Sequence, residues 1–210
     1  MSTTPANAPL PNPTAPNHHA DLPGFSGIGG LLAGLTMLLG GRADARLVAD
    51  VTSIGEGDHV VDIGCGPGNA AREAARRGAT VTGVDPAGVM LSIARRVGRD
   101  RARITWREGT AEALPLTDEA ATVVWSLGAV HHWTELDAGL AEVHRVLAPG
   151  GRFVAGERRT APGARGLASH GWTPAQTEAF VERCRAYGFT DVASAHHGDR
   201  VLVTAHRPAA

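Results

Sequence analysis

Residues Val60–Gly68 read VVDIGCGPG, and the change from apolar run to glycine loop within that stretch decides the fold. Val60, Val61 and Ile63 are β-branched, as in a strand buried on both faces. Gly64, Gly66 and Gly68 then fall at every second position. They let the backbone turn tightly and approach a ligand where a Cβ would intrude.

From Gly57 onward the chain alternates between short β-branched runs and helical patterns. Strands are expected at His59–Ile63, Thr80–Val84, Ile104–Arg107, Thr122–Ser126 and Arg152–Glu157. Asn69 is expected to cap a helix that Gly78 ends. Asp85–Pro86 supplies an N-cap with Pro at the first helical position, and Gly98 closes that helix. Leu136, Leu140, Val143 and Leu147 make an apolar stripe that stops before Pro149–Gly150, and Thr173–Pro174 opens a last helix that Gly188 ends. Two final strands, about Asp191–Ala195 and Arg200–Ala205, are joined by His197–Gly198–Asp199. That link is too short for a parallel crossover, so the pair is antiparallel. The pattern predicts an α/β fold: a seven-stranded, mostly parallel sheet with helices on both faces and a C-terminal antiparallel β-hairpin.

Upstream, residues 1–24 are rich in Pro, Asn, Thr and Ala and carry little to bury, so a disordered N-terminal tail is expected. Residues 25–54 form an N-terminal helical segment, and residues 55–210 the main domain. In the helical segment Leu31, Leu35 and Leu38 share one face, and Leu32 and Leu39 another. A helix apolar on several faces wants cover on several sides; it can dock on the domain, roof a site or join a dimer. The apolar stretch Gly27–Gly41 is too short and glycine-rich for a membrane span, and the N-terminus lacks a signal-peptide pattern, so a cytoplasmic protein is expected.

The 210 residues carry a net charge of −1, which argues against a nucleic-acid binder. All 20 basic residues are Arg. Without Lys there is no Schiff base, no P-loop Lys and no Tyr–Lys reductase pair. Cys65 and Cys184 match no metal-ligand spacing and read as free thiols in a reducing compartment. No metal site is expected: His18, His19, His196 and His197 read as tail or hairpin residues.

In an open parallel sheet, ligands bind beyond the carboxyl ends of the strands. The second strand ends at Asp85, seventeen residues after Gly68, where a carboxylate can accept from both hydroxyls of a ribose. Dinucleotide folds use the same pair of features. Here, however, Asn69 stands where their fingerprint wants a third glycine, and Asp62 just before the loop would repel a pyrophosphate. A sulfonium ligand carrying an ammonium group would tolerate Asp62 or be attracted by it.

On VVDIGCGPGN, GVDP, REGTAEALPL, VVWSLGAVHHW and VHRVLAPGGRFV, taken in order, the chain resembles the class I S-adenosylmethionine-dependent methyltransferase family. The likeness is to its small-molecule branch, typified by ubiquinone- and menaquinone-type enzymes, and covers about Leu47 to Pro208. It implies a Rossmann-like fold, S-adenosyl-L-methionine as methyl donor and a small-molecule acceptor. It implies that Asp62, Gly64, Cys65, Gly66 and Gly68 surround the methionine end, that Asp85 binds the ribose and that Pro86 lies beside the adenine. Thr110, Ala111 and Glu112 would face the adenine edge, and Ser126 and Leu127 the sulfonium. Two positions depart from the family pattern, which usually has Asp where Thr110 and Ala121 stand. Thr accepts more weakly from an adenine amino group, and Glu112 is a nearby alternative.

Methyl transfer from a sulfonium needs positioning of the acceptor, and a base only if the acceptor must lose a proton. His131 and His132, after the fourth strand, are the candidate bases; the alternative is that they shape the loop. Trp133 reads as packing. In the segment Arg158–Trp172, Arg158, Arg159 or Arg165 could bind an anionic acceptor and His170 could line a pocket; the alternative is a solvated loop. A nicotinamide-dependent reductase and a non-catalytic cofactor-binding relative stand as competing functions, and monomer and homodimer as competing assemblies.

Overall fold

In the computed structural model, which describes residues 14–21, 27–97 and 102–209, the valine run is β1 (His59–Ile63), inside a seven-stranded sheet. β2 (Thr80–Asp85) flanks it on one side and β4 (Ala121–Leu127) on the other, both parallel to it. β3 (Ile104–Glu108) extends the sheet beyond β2, and β5 (Leu147–Arg158) beyond β4, again in parallel. β6 (Thr190–His197) and β7 (Arg200–His206) form the antiparallel hairpin, with β7 lying between β5 and β6. The order is β3-β2-β1-β4-β5-β7-β6. Every expected strand is present. The largest difference is β5, which begins at Leu147 rather than Arg152.

Alternation along the strands divides the core in two. Val60, Val81, Val123, Trp125 and Val154 pack on one face under α2 (Arg42–Val51) and α3 (Asn69–Arg76). Ala70, Ala71, Ala74 and Ala75 of α3 are all buried, so this helix lies close to the sheet. Val61, Ile63, Val84, Val124 and Phe153 pack on the other face, under α5 (Leu136–Val146) and α6 (Pro174–Ala186). A capping box between Thr173 and Gln176 starts α6, with Pro174 at its first position, as the sequence implied.

Two expected caps are corrected. Asn69 is the first residue of α3, and Gly68 takes the N-cap position with φ of +84°, a conformation that favours glycine. The Asn69 amide instead donates to the Met37 carbonyl of α1 (Gly27–Gly40) at 2.8 Å. Helix α4 (Gly88–Arg96) starts later than expected, with Ala87 at its N-cap and Pro86 outside it. The Asp85 carboxylate is turned back on the loop. Gly98 and the Leu31 side chain lie outside the described residues.

Helix α1 packs on α4, and a Cβ at Gly34 would lie 2.5 Å from Ile93 Cδ1, so glycine permits the close approach. Leu32, Leu35 and Leu39 of α1 remain exposed. No helix among the described residues is long and apolar enough to cross a membrane.

Residues 14–21, which composition assigns to a disordered tail, lie against the domain instead. Trp172 Nε1 donates to the Pro16 carbonyl at 2.8 Å and Gln176 Nε2 to the Ala15 carbonyl at 3.1 Å. Asn17 Nδ2 donates to the Trp133 carbonyl, and the His19 amide to the His131 carbonyl at 2.9 Å. Side chains distant in sequence supply the hold that composition does not reveal. Residues 1–13 and 22–26 lie outside the described residues.

Candidate active site

The strand order changes direction beside β1: β2 and β3 lie on one side, β4 and the later strands on the other. Adjacent crossovers then leave the sheet on opposite faces, opening a crevice at the carboxyl ends of β1 and β4. A cavity of about 890 Å³ fills this crevice. Its walls are the β1–α3 loop, the ends of β2 and β4, the 109–112 turn and part of α1.

Gly64 and Gly66 adopt positive φ. A Cβ at Gly64 would lie 2.5 Å from that of Ala129, whereas one at Gly66 would meet nothing within 4 Å. Gly64 therefore answers a packing constraint as well as a turn, and Gly66 leaves open space. Asp85 holds the loop in place: Gly66 N donates to its Oδ2 and Ala87 N to its Oδ1, both at 2.8 Å. Burial raises the Asp85 pKa, against the lowering effect of these two amides.

Asp62 is the more perturbed carboxyl. Full burial pushes its pKa up to about 7; the Ala71 amide, donating at 3.1 Å, opposes the rise and nearby Asp85 adds to it. The side chain of its register partner Trp125 also opposes the rise. Burial also drives the Cys65 thiol well above its ordinary value, so this residue offers no thiolate near neutral pH.

The cavity brings together Asp62, Gly64, Cys65, Gly66, Asp85, Pro86, Thr110, Ala111, Glu112, Leu127 and His132 among the residues singled out from sequence. It does not include three others. Gly68 faces Trp106, with its hypothetical Cβ 2.2 Å from Cη2. Ser126 is wholly buried within the sheet, its hydroxyl without a partner. His131 is 3% exposed and lies behind the wall, with Nδ1–H donating to Glu157 Oε2 at 2.9 Å. Glu112 also differs from expectation, because its Oε1 accepts from the Thr134 amide at 2.7 Å and the Glu135 amide at 3.2 Å.

His132 faces the cavity, and burial together with His131 lowers its pKa to about 4. His170, from the loop after β5, joins it in the wall. The arginines of that loop do not. Arg158 is held by the carbonyls of His170 and Leu167, and Arg159 by that of Gly198. The cavity's cation is Arg200, paired with Asp44 at 2.7 Å. His18 and His19, read from sequence as tail residues apart from the site, stack instead among His131, His132 and His170. Sequence carried no signal for Glu157 or for the arrival of His18 and His19, which lie more than a hundred residues before the other histidines.

Residues 61–155 match the family described as "Methyltransferase domain". The matched stretch, 95 of the 210 residues, runs from β1 into β5 and carries the glycine loop, Asp85 and the 109–112 turn, so the resemblance to class I S-adenosylmethionine-dependent methyltransferases falls on residues that line the cavity. It is 38% identical over 98 residues to the ubiquinone/menaquinone biosynthesis C-methyltransferase of Rubrivivax gelatinosus, an alignment covering 47% of this chain and 38% of that protein. It is 33% identical over 150 residues to the 27-O-demethylrifamycin SV methyltransferase of Amycolatopsis mediterranei, covering 67% of this chain and 50% of that one. The chain thus spans half or less of the length of these methyltransferases. Among solved structures, an Aquifex aeolicus SAM-dependent methyltransferase shares the fold, with a TM-score of 0.72 at 16% identity over 84% of this chain and 97% of that one.

Proposed function

We propose that this chain transfers the methyl group of S-adenosyl-L-methionine to a small organic acceptor in the cytoplasm. The observation that carries the reading is the pairing of the open Gly64–Gly66 cradle with two buried carboxyls, Asp62 and Asp85, around one cavity. The donor set suits the ligand: open backbone for close approach, an acidic end for ribose hydroxyls, and a second acidic group for an ammonium. In this reading Asp62 faces the methionine ammonium, Asp85 the ribose, Pro86 the adenine face and the Thr110–Glu112 turn the adenine edge. Ionised Asp62 in such a buried position is stabilised by a positively charged ligand.

Leu127 and His132 then border the acceptor end. The bound donor supplies an electrophilic methyl group on sulfur. The chain's task is to hold the acceptor atom in line, about 3 Å from the methyl carbon, and to exclude water. His132, being neutral, can accept a hydrogen bond from an acceptor hydroxyl or amine. Its low proton affinity makes it a better orienting group than a strong base.

Calorimetric titration with S-adenosylmethionine and S-adenosylhomocysteine tests the donor half. Saturable one-to-one binding is expected for both, and no binding at millimolar concentration refutes the reading. Release of S-adenosylhomocysteine across a panel of small phenols, amines and quinols tests the acceptor half.

A further inference from the structure

We propose that His19, His131, His132 and His170 form a binding site for one divalent transition-metal ion of the zinc type, at the acceptor end of the cavity. One ring nitrogen from each of the four lies within 4.8 Å of the others. Around a tetrahedral Zn²⁺ with bonds near 2.0–2.1 Å, neighbouring nitrogens stand about 3.4 Å apart. His131 Nε2 and His170 Nδ1 are already separated by 3.4 Å. The other nitrogen pairs lie at most about 1.4 Å beyond that spacing. All four ligands are imidazoles, which suits zinc, cobalt, nickel or copper and disfavours magnesium and calcium.

The hydrogen bonds behind the rings orient lone pairs into the cluster. Glu157, 1% exposed, accepts from His131 Nδ1–H and so leaves the lone pair on Nε2, towards His170. A buried carboxylate behind a histidine is the arrangement that orients a metal-bound imidazole. Ser169 provides the same service for His19. Its hydroxyl donates to the Gly166 carbonyl at 2.7 Å, so it accepts from His19 Nε2–H at 3.1 Å. His19 Nδ1 is left with a bare lone pair, buried and without a partner. A group of this kind costs free energy unless something fills its acceptor position.

The ligands come from three separate places: residues 14–21, the turn Val130–His132 and the 159–173 loop. Each place is fixed by contacts independent of the rings, including Trp172 to Pro16 and Asn17 to Trp133. His18 stacks on His131 at a centroid distance of 6.0 Å, outside the four.

The test uses the untagged full chain, stripped with chelator and titrated with Co²⁺. Expected is one equivalent of Co²⁺ with the intense visible absorption of four-coordinate cobalt, displaced by Zn²⁺. His19→Ala and His170→Ala are each expected to weaken Zn²⁺ binding at least about 100-fold, and Glu157→Gln about 10–100-fold. His197→Ala on the exposed hairpin leaves it unchanged. His19 lies on the peripheral 14–21 segment, so its variant keeps the fold, checked by circular dichroism. Less than stoichiometric uptake, a six-coordinate spectrum, or equal affinity in wild type and His19→Ala overturns the proposal. S-adenosylhomocysteine titration of the same samples reports the cofactor half separately, so failure of either idea is visible on its own.

Discussion

Replacing Asp62 by Asn removes the one buried carboxyl whose ionisation the methyl donor should drive. In the free protein its pKa is raised to about 7 by burial. A cationic ligand favours the ionised form, so binding near pH 6 must be accompanied by proton release from Asp62. From the fraction ionised, affinity should rise about eightfold between pH 6 and pH 7.5 in the wild type. Asp62→Asn should lose that slope. The same group has a stability signature of opposite sign. A folded pKa above the unfolded value means that the native state holds the proton more tightly. Stability without ligand therefore falls as pH rises from about 4 to about 7, by at most on the order of 4 kcal/mol. Asp62→Asn should then melt higher than wild type at pH 8 and similarly at pH 4. Calorimetry in two buffers of different ionisation heat counts the released proton, and thermal melts follow the stability. Equal pH slopes for the wild type and the Asp62→Asn variant, with no proton released by either, would refute the assignment of this carboxyl to the donor's ammonium.

Asp85→Ala should weaken S-adenosylhomocysteine binding at least about 10–100-fold, the loss of a single charge-assisted hydrogen bond of roughly 1.5–3 kcal/mol; titration showing unchanged affinity removes Asp85 from the ribose. Because that carboxylate also ties Gly66 to Ala87, the variant should lose about 1–3 kcal/mol of stability in a urea melt. Trp106 occupies the hollow left by Gly68 and Gly83, where Cβ atoms would lie 2.2 and 2.5 Å from its ring. Gly83→Ala should cost about 1–3 kcal/mol by overpacking and be rescued by Trp106→Leu; Gly68→Ala, at φ of +84°, should be rescued only in part. Trp172→Phe deletes the hydrogen bond to Pro16, worth about 1 kcal/mol, and should speed proteolytic cleavage within residues 14–21 about fivefold. An unchanged cleavage rate would show that this bond does not hold the segment.

The parts of the fold legible in the sequence are those set by local chemistry. Val60–Ile63 had to be a central strand because its apolar run serves both faces, and Gly64 and Gly66 mark the turn because glycine takes their positive φ without the strain other residues meet there. The hairpin followed from the length of its link. The errors occur where a side chain chose a distant partner over a near one. Asn69 reaches α1 instead of capping its own helix, and Asp85 binds the neighbouring loop instead of opening α4. Ser126 faces into the sheet, not the cavity, because the alternation of β4 assigns Leu127 to the open side. His170 was legible as a pocket-lining residue and does line the cavity, but Glu157 and the 14–21 segment were illegible for a further reason: their meaning is a meeting in space, and no spacing along the chain encodes it.

The attachment of residues 14–21 also has a consequence in time. Its anchor Pro16 is translated 156 residues before Trp172, the side chain that grips it. At ribosomal speeds of about 5–20 residues per second, the segment waits roughly 10–30 s for its partner. The glycine loop, Asp62 and Asp85 lie in the first half of the chain, with β1 and β2, so the cofactor half of the crevice can assemble during that wait. The histidine-lined end can close only after His170 and Trp172 have emerged. The donor chamber is thus built first, and the acceptor chamber is sealed last by the earliest-made of the described segments.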